Sequence, residues 1–166
     1  MKSTIQTLLA VVALVALTAV TASAQATATQ SLNVNASVTS RAKLTLGAAA
    51  INFADADPDV SPTLTAAGLS VDVKARAGAG ASVTVTVLAD GNLVSGSDNI
   101  GIANLTWTAG GAGFVAGTMN ATVAQSLAGL TGSGDYSGTQ TYSLVNSWSY
   151  ATGSYTATIT YTLSVP

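Results

Sequence analysis

The chain has 166 residues, a net charge of −2 and no cysteine, and only 7% of its residues are charged. Average soluble proteins carry about 25% charged residues, so Thr, Ser, Ala and Gly must form most of this surface. His, Cys and Glu are all missing, which removes the usual general base, the thiol nucleophile and most transition-metal ligands. The composition therefore predicts a protein that is not an enzyme, has no disulfide and has too few basic residues to bind nucleic acid.

The first 24 residues have the pattern of a secretory signal peptide. Lys2 precedes an apolar run over residues 8–20, and Ala22-Ser23-Ala24 places small residues before a cleavage site. The run is shorter than the ~20 residues that a membrane span needs. We predict cleavage after Ala24, export of residues 25–166 to the cell surface or the medium, and no membrane span in the exported chain.

Apolar and polar residues alternate at period two through most of residues 25–166, which predicts β-strands. Glycine-containing turns separate the patterned stretches, as hairpins require. Short strands at this spacing predict a single antiparallel β-sandwich, immunoglobulin-like or pilin-like, over residues 25–166. The patterned stretches are residues 29–40, 41–47, 68–78, 81–91, 99–108, 112–119, 139–145 and 154–166, with a short strand at the start of 49–62.

Two stretches depart from simple alternation. Ile100 and Ile102 occupy even positions of the apolar alternation, whereas Leu105 and Trp107 occupy odd positions. This change of phase predicts a β-bulge near residues 103–104. Residues 121–130 suit either a strand or a short helical turn.

The last strand carries the strongest pattern, with apolar or aromatic residues at every second position from Tyr155 to Val165 and Thr or Ser between them. The stretch "GSYTATITYTLSVP" resembles the last strand of the spore coat protein U and Csu-type pilin family. It is also similar to the C-terminal motif of WxL domains of bacterial surface proteins, with Tyr161-Thr162-Leu163 at the motif position. Either resemblance implies a non-catalytic extracellular module that assembles or adheres, although the disulfide usual in the pilin family is absent here.

The segment from Gln25 to Val38 is uncharged and alternating. It is therefore a candidate for a donated strand, which would complete the sheet of a neighbouring copy by β-augmentation. Its pocket-filling side chains would be Leu32, Val34, Ala36 and Val38. The alternative is that the segment forms the first strand of its own sandwich.

The acidic stretch "DADPD" is a candidate calcium site through Asp55, Asp57 and Asp59. A calcium loop of the EF-hand type needs Gly at its sixth position and Glu at its twelfth, where this chain has Val60 and Ala66. A looser oxygen site remains one interpretation, and a solvated acidic turn is the other.

Trp107, Trp148 and Tyr150 lie close to glycine-containing turns and are candidates for an aromatic platform that stacks on sugar rings. Packing in the core is the alternative for both tryptophans. The sequence thus favours a secreted structural or adhesive subunit that assembles with itself or with other surface proteins by strand exchange. A carbohydrate-binding module that recognises glycans is the alternative function.

Overall fold

The computed structural model describes residues 25–166, and the predicted signal peptide lies outside the described residues. The chain divides into two units at Ala36/Ser37. In chain order the strands of the described residues are β1 (Arg41–Leu46), β2 (Thr63–Thr65), β3 (Leu69–Arg76), β4 (Ser82–Ala89), β5 (Leu93–Ser95), β6 (Asp98–Ile100), β7 (Leu105–Gly110), β8 (Gly117–Thr118), β9 (Gln125–Thr131), β10 (Gly134–Val145) and β11 (Ile159–Ser164).

The strands form antiparallel sheets that pack face to face, so the predicted all-β sandwich is confirmed. The larger sheet has the order β1-β3-β10-β7-β8, and β2 pairs with the end of β10. The smaller sheet has the order β11-β4-β9, and β5 and β6 form a separate hairpin. No α-helix occurs in residues 25–166, where the one helical element is a 3-10 turn at Ile102–Asn104.

The core lies between the two sheets and is built by the period-two pattern. On β3, Val71 and Val73 are fully buried while Lys74 faces the solvent. On β4, Val85 and Val87 are fully buried from the other side. Burying each valine side chain contributes about 1.5–3 kcal/mol, so these alternating faces hold the sandwich together.

An aromatic pair fills the middle of the core. Trp107 on β7 lies directly opposite Tyr142 on β10, with ring centroids 6.3 Å apart and planes at 52°, a favourable tilted geometry. The Trp107 Nε1–H donates to the Val115 carbonyl at 2.9 Å. Gly117 allows the indole to approach the backbone, because a Cβ there would overlap Trp107 Cζ2.

Several predicted strand positions need correction. Residues 29–40 and 49–54 contain no strand, and within residues 112–119 only Gly117–Thr118 is one. The change of phase before Leu105 is real, but a 3-10 turn at Ile102–Asn104 produces it instead of a β-bulge. The ambiguous stretch 121–130 contributes most of β9, because its apolar residues pack against β4.

Candidate functional site

Two edge strands lie next to each other along one side of the sandwich. Among the described residues, β1 pairs only with β3 and β11 pairs only with β4. The two strands meet at one end, where the Ser40 hydroxyl donates to the Pro166 carbonyl at 2.7 Å. Each strand therefore keeps a row of backbone N–H and C=O groups that a further strand could pair with.

The inward face of β11 is incompletely covered. Ile159, Tyr161 and Leu163 face the core but are only half-buried, whereas their cross-strand neighbours Val85 and Val87 on β4 are fully buried. The predicted alternation of this strand is thus confirmed. Its apolar row leaves surface that a further strand could cover.

A cleft of 1080 Å³ opens between the end of β1 and the beginning of β11. The cleft is as large as the upper limit for small-molecule pockets, which are about 300–1,000 Å³. Most of the residues that line it are apolar, and Asp55 and Asp57 lie among the polar ones. The apolar side chains that line it include Leu46, Ile51, Phe53, Leu93, Ile100, Leu144, Tyr155 and Ile159.

The segment 25–38 contains no strand, and its apolar side chains are exposed. Leu32 is 88% exposed, Val34 85% and Val38 71%, and Ala36 is exposed as well. The assignment of these residues to strand exchange remains a prediction.

The acidic loop is a fixed turn that does not gather its carboxylates. The Asn146 side-chain amide donates to the carbonyls of Ala56 at 2.9 Å and Ser61 at 3.0 Å. Asp57 Oδ1 accepts the Asp59 N–H at 2.9 Å. Residues 25–166 contain no group of three acidic side chains that could hold a metal ion. The assignment of Asp55, Asp57 and Asp59 to a calcium site therefore stays a prediction, and a site there would need backbone carbonyl oxygens as further ligands.

The two tryptophans have opposite environments, so the predicted three-ring platform is wrong. Trp107 is 2% exposed and belongs to the core. Trp148 is 70% exposed, and its Nε1–H donates to Asp59 Oδ1 at 3.2 Å. Tyr150 is half-buried and lines the cleft. Trp107 lies two residues after Leu105, on the same face of β7, and this spacing indicates a buried position. Trp148 has a serine on either side, which is typical of an exposed position.

A buried polar cluster between the sheets was not predicted from the sequence. The Tyr161 hydroxyl donates to Gln140 Oε1 at 2.8 Å and lies 2.7 Å from the Tyr142 hydroxyl. Gln140 is fully buried, and its Nε2 has no hydrogen-bond partner. Burial raises the pKa of both tyrosines, so they stay neutral. Gln140 lies two residues before Tyr142 and therefore on the same face of β10. This spacing was the feature of the sequence that indicated its burial.

No helix in the described part of the chain is long and apolar enough to cross a membrane. A scan against protein-family models and a search of curated proteins found no match for this chain.

Proposed function

We propose that this protein is a non-catalytic, exported structural or adhesive subunit of the fimbrial type, whose copies join by β-strand exchange. Residues 25–38 of one copy enter the cleft of the next and pair with its free edge strands. The observation that carries the proposal is an open apolar cleft between the edge strands β1 and β11, in a chain that also has an exposed alternating segment.

The apolar side chains of the segment share one face and match the apolar residues of the cleft in chemistry. Alternate residues of an extended strand share one face, so Leu32, Val34 and Val38 turn together toward apolar walls. Asn33 and Asn35 lie on the other face and stay in water. Burying a leucine or valine side chain contributes about 1.5–3 kcal/mol, so the three large side chains supply several kcal/mol toward association.

The backbone of the edge strands supplies the second half of the interaction. A strand added beside β11 finds the N–H and C=O groups that do not face β4. Such pairing gives affinity through main-chain hydrogen bonds, and the cleft selects the side chains. The side chains of the segment carry no charge, so their insertion requires no charged side chain to be desolvated.

Insertion into another copy is favoured over insertion into the same copy. Only Thr39 and Ser40 separate the segment from β1, so folding back along β1 needs a two-residue hairpin turn. Such turns require a positive φ, which favours Gly, Asn or Asp. No residue other than glycine has a positive φ among the described residues, and the Ser40 side chain is bound to Pro166.

The decisive experiment is sedimentation velocity on the Gln25–Pro166 chain, with electron microscopy of any fast-moving fraction. We expect oligomers or filaments from the wild-type chain. Val34→Asp places a charge on the inward face of the segment and should leave monomers. Asn35→Asp places the same charge on the outward face and should assemble like wild type.

Two results would contradict the proposal. The first is a wild-type chain that stays monomeric at high concentration. The second is a Val34→Asp chain that assembles as well as the Asn35→Asp control.

A further inference from the structure

All four cations of residues 25–166 lie on one outer face at one end of the larger sheet. Arg41 and Lys43 are on β1, and Lys74 and Arg76 are on β3. The strand register places Arg41 opposite Arg76 and Lys43 opposite Lys74. The intervening residues of β3, such as Ala75, are buried, so the four charged side chains share the solvent face. We call this set the basic face.

The basic face opposes the stability of the fold. Like charges directly opposite each other on neighbouring strands are destabilising. Lys74 forms an ion pair with Asp135 at 2.8 Å, which raises the lysine pKa. Asp72, whose carboxylate accepts the Ser137 hydroxyl, is the other acid in register with these strands. Four cations against two carboxylates leave a positive face, and in a chain so poor in charge this indicates a partner with negative charge.

Negative charge is concentrated at the opposite end of the molecule. Asp55, Asp57 and Asp59 lie in the loop that Asn146 holds, immediately beyond the last residue of β10. The basic face lies beside the first residues of β10. A strand rises about 3.3 Å per residue, so the twelve residues of β10 place these ends roughly 35 Å apart. We call the three aspartates the acidic end.

Asp90 in the smaller sheet adds a further carboxylate at the same end of the molecule as the acidic loop. Asp90 Oδ1 accepts the Thr158 N–H at 2.9 Å, immediately before the first residue of β11. The last residues of the chain, which follow β11, contact Ser40 beside the basic face. The smaller sheet therefore adds a carboxylate at the end of the molecule that holds the acidic loop, while its strands β4, β9 and β11 carry no Lys or Arg.

The cleft lies at the acidic end of the molecule, and the exposed segment is attached at the basic face. Asp55 and Asp57 line the cleft, so the cleft opens at the acidic end. The segment 25–38 joins the folded body at Arg41, which belongs to the basic face. A segment that enters the cleft of another copy therefore brings its own basic face toward that copy's acidic end.

We propose that the acidic end of one copy binds the basic face of the next, so that copies align head to tail with the donated segment facing the cleft. This inference rests on the proposed strand exchange and names the contact surfaces and the order of the copies. A head-to-tail contact is heterologous and propagates into filaments unless the rotation closes a ring. Charge attraction of this kind raises encounter rates by about 10–10³ and weakens with salt.

The test exchanges the charges of the two ends in separate full-length mature chains. One variant carries Arg41→Glu and Lys43→Glu, and the other carries Asp55→Lys and Asp59→Lys. Each variant alone has ends of like sign, so its assembly rate, followed by light scattering, should fall at least about tenfold. An equimolar mixture restores opposite signs at every contact and should recover assembly.

Salt provides a measurement that needs no substitution. At about 1 M salt the screening length falls to about 3 Å. Wild-type assembly should therefore slow by at least about tenfold, as in the single charge variants. Single variants that assemble like wild type, a mixture that fails to recover, or an assembly rate insensitive to salt would each overturn the inference.

The Val34→Asp chain separates this inference from the proposed function, because it keeps both charged ends. Its sedimentation coefficient should rise with concentration at low salt and not at about 1 M salt, where charges are screened. If Val34→Asp shows this attraction and wild type associates no more strongly than Val34→Asp, strand exchange fails and the charge contact stands. If wild type assembles and neither charge nor salt matters, the charge contact fails and strand exchange stands.

Discussion

The hydroxyl groups of Tyr142 and Tyr161 lie 2.7 Å apart and join the two sheets of the sandwich. Tyr142 belongs to the centre of the larger sheet, and Tyr161 belongs to the edge strand β11 of the smaller one. Because the Tyr161 hydroxyl donates to Gln140 Oε1, Tyr142 is the donor of the pair. The polar contact fixes an edge strand whose apolar face is only half-buried.

Tyr161→Phe should destabilise the fold. The substitution removes the donor to Gln140 and the acceptor for Tyr142, and leaving buried polar groups unpaired costs about 1–3 kcal/mol. Urea unfolding measures the change in the free energy of unfolding. Tyr155→Phe is the matched control, because its hydroxyl donates to the Ala151 carbonyl at the surface and its loss should cost at most about 0.5 kcal/mol. Equal losses of unfolding free energy in both variants would show that the buried cluster has no special role in stability.

Stability should fall at alkaline pH because of the same two tyrosines. Burial raises the pKa of Tyr142 and Tyr161 above the ordinary value of 10.0. The folded state therefore keeps both protons while the unfolded state loses them. The stabilisation is complete below about pH 10 and is lost as the pH rises further, by at most about 1.4 kcal/mol per pH unit for each tyrosine.

Urea unfolding from neutral pH to about pH 11, with tyrosinate absorbance, measures this dependence. The Tyr161→Phe chain should show a shallower decline than wild type. Titration of every tyrosine near pH 10 in a chain that remains folded would contradict the prediction.

Gly117→Ala should destabilise the protein by about 1–3 kcal/mol, the usual cost of overpacking. A Cβ at this position would overlap Trp107 Cζ2, so the indole must move away from its contacts with Tyr142 and Val115. Thermal unfolding gives the size of the effect. Gly110→Ala is the control, because no atom lies within 4 Å of a Cβ there. A Gly117→Ala chain as stable as this control would show that the indole can shift freely.

A synthetic peptide of residues 25–38 should raise the melting temperature of the Val34→Asp chain. The peptide occupies the cleft that the altered segment cannot fill, and a ligand at 100 times its Kd stabilises by about 2.7 kcal/mol. Differential scanning calorimetry measures the shift. The same peptide with Val34→Asp should have no effect, and equal shifts from the two peptides would argue against selection by the cleft.

The strands with the strictest alternation could be located from the sequence. β3, β4 and β11 lie within the predicted stretches because Val, Ile and Leu at every second position have one low-energy arrangement, with one face buried. The stretch 29–40 alternates as well but contains no strand. A period-two pattern describes the faces of a strand and does not specify which chain supplies its partner.

The candidate site was less predictable because its parts come from distant positions. The cleft is lined by residues from Leu46 to Tyr161, and their proximity depends on sheet order. The basic face depends on register, since a slip of one residue between β1 and β3 would turn Arg41 and Lys43 to the other side of the sheet. Asp59 and Trp148, joined by a hydrogen bond, are likewise far apart in sequence.

The position of β4 between β9 and β11 has a consequence for the folding rate. Ala89 pairs with Ile159, so the smaller sheet is complete only when a strand from far along the chain has docked. Closing such long loops before any contact forms makes folding slow, on the order of milliseconds to seconds. During that time the free edge of β4 can pair with other chains. Substitutions that slow the docking of β11 should therefore increase aggregation during refolding even when the native state keeps its full stability.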